Sequence, residues 1–133
     1  MRNKPYTIFI DTGGTFTDCI AIAPDESIIR LKVLSSGSIR AVISVWINEH
    51  VFIIDHKWSL TKDIFRNYIV RFPGFPDHQS KVRNFDILKN TIELKTPIPG
   101  LAGEKDIVVE LSADEEAPIL GIRLITQTGL REE

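Results

Sequence analysis

The sequence predicts a mainly β protein with one C-terminal helix, an α+β arrangement, and three observations carry that reading. Short runs rich in β-branched and aromatic residues recur from residue 6 to about residue 112. Clusters of Pro, Gly, Asn and Asp punctuate them. Apolar residues fall on a helical face only near the end, in Ile119, Leu120, Ile122, Leu124 and Ile125.

A chain of 133 residues buries roughly two-thirds of its unfolded surface and folds without staples. Hydrophobic content of 43%, charged content of 26% and a net charge of -2 exclude a polyelectrolyte that binds nucleic acid through its backbone charge. The lone Cys19 excludes an internal disulfide, and a reducing cytoplasm is the expected compartment. The leading residues carry no signal-peptide core, and no apolar run reaches the length of a membrane span.

Residues 6–11, 15–23 and 28–34 read as three consecutive strands. The turn between the first two is Thr12-Gly13-Gly14; the next, Pro24-Asp25-Glu26-Ser27, has the chemistry of an ordinary hairpin. A boundary is placed near Gly37, because Ile39, Ala41, Ile43, Val45 and Ile47 then alternate with a mostly polar face. Further strands follow at 51–54, 68–72, 82–88, 92–95 and 106–111, the signature of a small barrel or sandwich. A single helical turn is expected at 61–66. A helix over 115–126 follows from the capping-box spacing of Ser112 and Glu115, Pro118 in the first turn and the apolar face. Gly121 costs that helix ~1 kcal/mol relative to alanine.

The residues that look chemical are Asp11-Thr12-Gly13-Gly14-Thr15-Phe16-Thr17-Asp18. An apolar strand delivers a carboxylate to a turn whose paired glycines bare backbone N–H groups, with hydroxyls on either side; phosphate-and-metal chemistry or a catalytic aspartate would use it. A Gly-rich hairpin capped by its aspartate is the plain alternative. Thr17 and Asp18 are adjacent in a strand, so one points inward and the other out. No Gly-Lys-Thr/Ser closes a Gly-rich loop, so a P-loop is excluded. His50, His56 and His78 have no mutual metal-ligand spacing. Cys19, between Asp18 and Ile20, is expected to pack. Trp46, Trp58, Phe52, Phe65, Tyr68, Phe72 and Phe75 are expected in the core of the β module rather than on a stacking platform. Lys81-Val82-Arg83 is too short for a nucleic-acid patch.

The Asp-Thr-Gly run is also similar to a retroviral-type aspartic protease, in which Asp11 would act in a homodimer, and residues 119–129 resemble the C-terminal helix region of such enzymes. Gly14 stands where those proteases have Ala or Ser, and Gly74 is the only glycine between Gly37 and Pro99, too few for a flap.

A second resemblance covers more of the chain. Residues 11–21 resemble the opening of the hydantoinase/5-oxoprolinase family's ATP-dependent subunit, within the actin, sugar-kinase and heat-shock-chaperone ATPase superfamily. Lys32-Val33-Leu34-Ser35-Ser36-Gly37, Glu115-Glu116-Ala117-Pro118-Ile119-Leu120 and Arg123-Leu124-Ile125-Thr126-Gln127-Thr128 resemble further blocks in the family's order. The resemblance implies strands of a ribonuclease H-like ATPase lobe at 1–37, an inserted β module at 38–112, and the lobe's first helix, truncated, at 113–133. It implies ATP and Mg²⁺ as cofactors, Asp11 as the catalytic and metal-positioning carboxylate with Asp18 beside it, and Thr12, Gly13, Gly14, Thr15 and Thr17 around the phosphates. The implied reaction is ATP-dependent opening of a cyclic amide; ketone carboxylases share the Gly-Gly-Thr style of opening. The family continues well beyond this length, so the resemblance implies an N-terminal piece, inactive alone, whose partners are the remaining ATPase lobes and a second hydrolase subunit, with no nucleic acid or membrane. A noncatalytic subunit-interaction module is the alternative for residues 38–112.

Overall fold

The computed structural model describes residues 5–101, 103, 104 and 106–130. The sequence readings on residues 1–4 and 131–133 lie outside the described residues. The chain forms nine strands and one helix among the described residues: β1 Thr7–Thr12, β2 Phe16–Ile22, β3 Ile28–Leu34, β4 Ser38–Asn48, β5 Val51–Asp55, β6 Ile69–Arg71, β7 Gln79–Asp86, β8 Thr91–Leu94, β9 Val108–Ser112 and α1 Ala117–Thr126. The mainly β reading with one C-terminal helix holds.

β1, β2 and β3 make an antiparallel meander in continuous register, from Thr7↔Ile22 to Thr12↔Thr17 and from Phe16↔Leu34 to Ile22↔Ile28. Their alternation sorts the side chains onto two faces. Ile8, Ile10, Cys19, Ala21, Ile29 and Leu31 pack together with Ile125 of α1. The opposite face carries Phe9, Asp11, Phe16, Asp18, Ile22 and Ile28, and its apolar members are 41–63% exposed.

The remaining strands close into a six-stranded barrel, in the order β4-β5-β8-β7-β6-β9 with β9 returning to β4. Closure removes the open edges that a sheet of this size would otherwise expose. Only Leu34↔Ser38 joins β3 to β4, so meander and barrel meet at a corner. Gly37 makes that corner: its φ is +86°, and a side chain there would collide with the Glu115 carbonyl oxygen. Phe52, Phe65, Tyr68 and Phe72 are buried as expected, whereas Trp46 and Trp58 are half-buried and Phe75 is 37% exposed. The Tyr68 hydroxyl is buried without a partner among the described residues, and burial pushes its pKa up to about 12.

Three local expectations are corrected. The helical turn at 61–66 does not form; the Asp63 carboxylate instead accepts the N–H groups of Phe65 (3.0 Å) and Phe85 (3.1 Å), offering the backbone an alternative to helix. The strict alternation of β4 fails after Ile43, where register shifts put Trp46 opposite Phe52 and leave Val45 and Ile47 52% and 57% exposed. The capping box is absent. Glu116 holds the N-cap position with no side-chain cap, the Ser112 hydroxyl accepts the Asp114 N–H, and Glu115 is engaged elsewhere.

That engagement is a two-pronged pair, Arg123 Nε to Glu115 Oε1 at 2.6 Å and Nη2 to Oε2 at 2.9 Å. Arg123 Nη1 also donates to the Gly129 carbonyl at 2.8 Å, tying the approach to α1 to the chain leaving it.

Candidate functional site

The hairpin turn at residues 12–15 is closed by the Gly13 N–H, which donates to the Phe16 carbonyl at 3.0 Å. A Cβ on Gly13 would sit 2.9 Å from that carbonyl oxygen, so the position demands glycine on steric grounds; at Gly14 the same atom meets open space. The turn is held from below by β3's end. The Ser35 N–H donates to the Thr15 carbonyl (2.8 Å) and the Ser35 hydroxyl to the Gly13 carbonyl (2.7 Å). With that hydroxyl proton spent, the Thr17 hydroxyl, 3.0 Å away, is the donor in its contact with Ser35. Thr17 is fully buried, so it supports the turn from beneath.

The turn N–H groups of Gly14 and Thr15 have no partner among the described residues. They are the donors this turn can offer an incoming anion.

Asp11 and Asp18 are direct cross-strand partners, and Asp18 in turn faces Lys32 on β3. Opposed residues share a face, so a row of carboxylate, carboxylate and ammonium crosses the three strands next to the turn. Lys32 Nζ lies 3.7 Å from Asp18 Oδ1 and 5.8 Å from the centre of the Phe16 ring. A shallow depression on this face is lined by Phe9, Asp11, Asp18, Ile20 and Lys32. Two like charges placed side by side repel, and one ammonium balances only one of them.

The structure thus brings Asp11, Asp18, Gly14 and Thr15 to one end of the meander and puts Thr17 beneath it. Thr12 stands on the helix side, with Ser35, Ser36 and Pro118 around it. Ser35 was missed as a site residue; it lies in the Leu34-Ser35-Ser36-Gly37 block, but its bonds to Gly13 and Thr15 are long-range and leave no local signal. Cys19 is buried, and burial followed by the Asp18 charge pushes its thiol pKa up, which makes it a packing residue and not a nucleophile. His56 is spent on Asn90 (2.9 Å) and on the Trp58 N–H (3.0 Å). No group of three or more His, Cys, Asp and Glu is placed to hold a metal among the described residues. No helix among them is long and apolar enough to cross a membrane.

No curated protein and no solved structure matches the chain. A family model does: residues 7–56 match the hydantoinase/oxoprolinase N-terminal region. The matched segment takes in β1, β2, β3, the turn at residues 12–15 and the first two barrel strands, while the blocks resembling the family at 115–128 lie beyond it. Over residues 7–56 the chain is therefore similar to the N-terminal region of the hydantoinase/oxoprolinase family.

Proposed function

We propose that the chain supplies the phosphate-binding turn of an ATP-dependent hydrolase that opens cyclic amides. The observation that carries this reading is the direct pairing of Asp11 with Asp18 beside a turn whose Gly14 and Thr15 amides have no partner among the described residues. Hard carboxylate oxygens suit Mg²⁺, and clustered N–H groups suit phosphate oxygens. The donor set therefore fits Mg²⁺ and ATP.

In this reading ATP supplies the phosphoryl group that makes a resonance-stabilised amide carbonyl reactive, with Mg²⁺ neutralising phosphate charge. Everything else falls to the chain's own residues. Asp11 is the principal cation ligand and Asp18 shares the charge, while Lys32 limits the repulsion between them. Gly14 and Thr15 donate their amides to phosphate oxygens. Gly13 keeps the turn tight, and Thr17 with Ser35 holds its carbonyls back so that the free amides stay presented.

The same proposal makes residues 1–37 the first strands of a ribonuclease H-like lobe, 38–112 an inserted barrel and 113–133 the lobe's first helix. Two features support it: α1 packs on one face of the meander, and β1 has no neighbour on its outer side among the described residues. The partners are then the other ATPase elements and a second hydrolase subunit, and the chain alone turns over nothing. Asp11→Ala in the parent enzyme is expected to lower ATP-dependent amide hydrolysis by at least about 100-fold. Unchanged turnover would remove Asp11 from the site.

A further inference from the structure

β3 is open on the side away from β2. The Ser35 N–H bonds to Thr15 and the Ser27 carbonyl accepts from Ala23, so odd-numbered residues of β3 turn their backbone groups toward β2. Backbone groups on successive strand residues point to alternate sides. Ile28, Arg30 and Lys32 therefore direct N–H and C=O outward, and neither strand pairing nor turn bonds give them a partner on that side among the described residues. Only Leu34, at the strand's end, meets β4.

This edge borders a groove lined by Ile28, Arg30, Trp58, Leu60, Leu124 and Ile125. The opposite wall is fixed in place. Trp58 stacks on His56 with ring centres 4.6 Å apart, and the Trp58 backbone N–H donates to His56 Nδ1. The Gln127 side-chain carbonyl accepts both the N–H (2.7 Å) and the hydroxyl (2.9 Å) of Thr61, pinning the segment after Trp58 to the end of α1. Among the described residues, the ionisable ones lining the groove are Arg30 and Lys57, with no carboxylate.

We propose that the open edge of β3 is a strand-addition groove for an extended segment of a partner polypeptide with apolar residues at its centre and acidic residues at its ends. Alternating backbone donors and acceptors on an edge are matched by another strand, the apolar walls receive alternate side chains, and the basic lining favours carboxylates. The groove uses the outward backbone groups of β3, whereas the Asp11–Asp18 row uses the Lys32 side chain, so the proposal does not depend on how the residue 12–15 turn is used.

The test titrates the whole 133-residue chain with an acetylated peptide amide of alternating valine and threonine, glutamate at both ends, read by tryptophan fluorescence and residue-resolved amide exchange. Saturable binding is expected, with protection of the Arg30 and Lys32 amides rising at least about tenfold and a lysine-ended peptide binding at least about tenfold more weakly. Arg30→Pro removes an outward N–H and no bond to β2, and should abolish binding with an unchanged circular dichroism spectrum. A peptide N-methylated along its pairing edge should fail to bind the unaltered protein, a result independent of how the proline variant folds. Equal binding of the methylated peptide, protection at β1 instead, peptide-free self-association that protects β3, or no saturable binding would each overturn the proposal.

Discussion

Gly121 illustrates how one residue is decided by a contact far away in sequence. Its Cα lies against Cys19 on β2, and a Cβ at this position would collide with the Cys19 Sγ. The glycine lets α1 settle on the meander, which is why a helix breaker is retained in mid-helix. Gly121→Ala should destabilise the fold by about 1–3 kcal/mol through overpacking, outweighing the ~1 kcal/mol of helix propensity gained. In a Cys19→Ala background the same substitution should be markedly better tolerated, because the clashing sulfur is gone. Denaturant midpoints of the four proteins in that cycle check it; additive losses would mean that the sulfur is not the obstacle.

Among elements, the meander and the helix were legible in sequence and the barrel's closure was not. β3 runs over Ile28–Leu34 as expected, because its β-branched residues lie between clear turn signals, and α1 ends at Thr126 as its apolar spacing implies. The helix start was misplaced because Ser112 and Glu115 have capping-box spacing, while Arg123, one long side chain away, competes for the same carboxylate. The bulges of β4 have no local signature; they fall between Ile43 and Val45 and between Trp46 and Asn48, where β4 pairs with β5 beyond Val42, its last partner for β9. Strand order is likewise a long-range property, so a barrel and a sandwich read alike in the sequence. At the candidate site the Asp11 turn was visible from its glycines, but the support from Ser35 was not.

The Glu115–Arg123 pair also gives α1 a pH dependence. Hydrogen bonding from Arg123 holds the Glu115 carboxyl below its usual range, against a smaller opposing effect of burial. A depressed folded-state pKa means that the unfolded chain takes up the proton first as pH falls. The pair's contribution is therefore complete above the unfolded value of about 4.3 and fades as pH drops through the lower folded value. Glu115→Gln should cost about 1 kcal/mol at pH 7 and show a shallower loss of stability on acidification. Thermal melts across that range test it, and parallel curves for the two proteins would contradict it.

On the scale of the whole molecule, a well-closed barrel is joined at one corner to a meander that is covered on one face alone. Phe9, Phe16, Ile22 and Ile28 remain exposed on the meander's other face, beside the Asp11–Asp18 row. These apolar side chains leave the meander's second face uncovered among the described residues. In the proposed function, this row and the turn above it form a cation-and-phosphate half-site. The most direct measurement is Mn²⁺ titration of the isotopically labelled chain in the presence of ATP, followed by amide line broadening. Broadening centred on Asp11, Gly14, Thr15 and Asp18 and lost in Asp11→Ala is expected; broadening that is centred elsewhere, or unaffected by that substitution, would rule out the half-site.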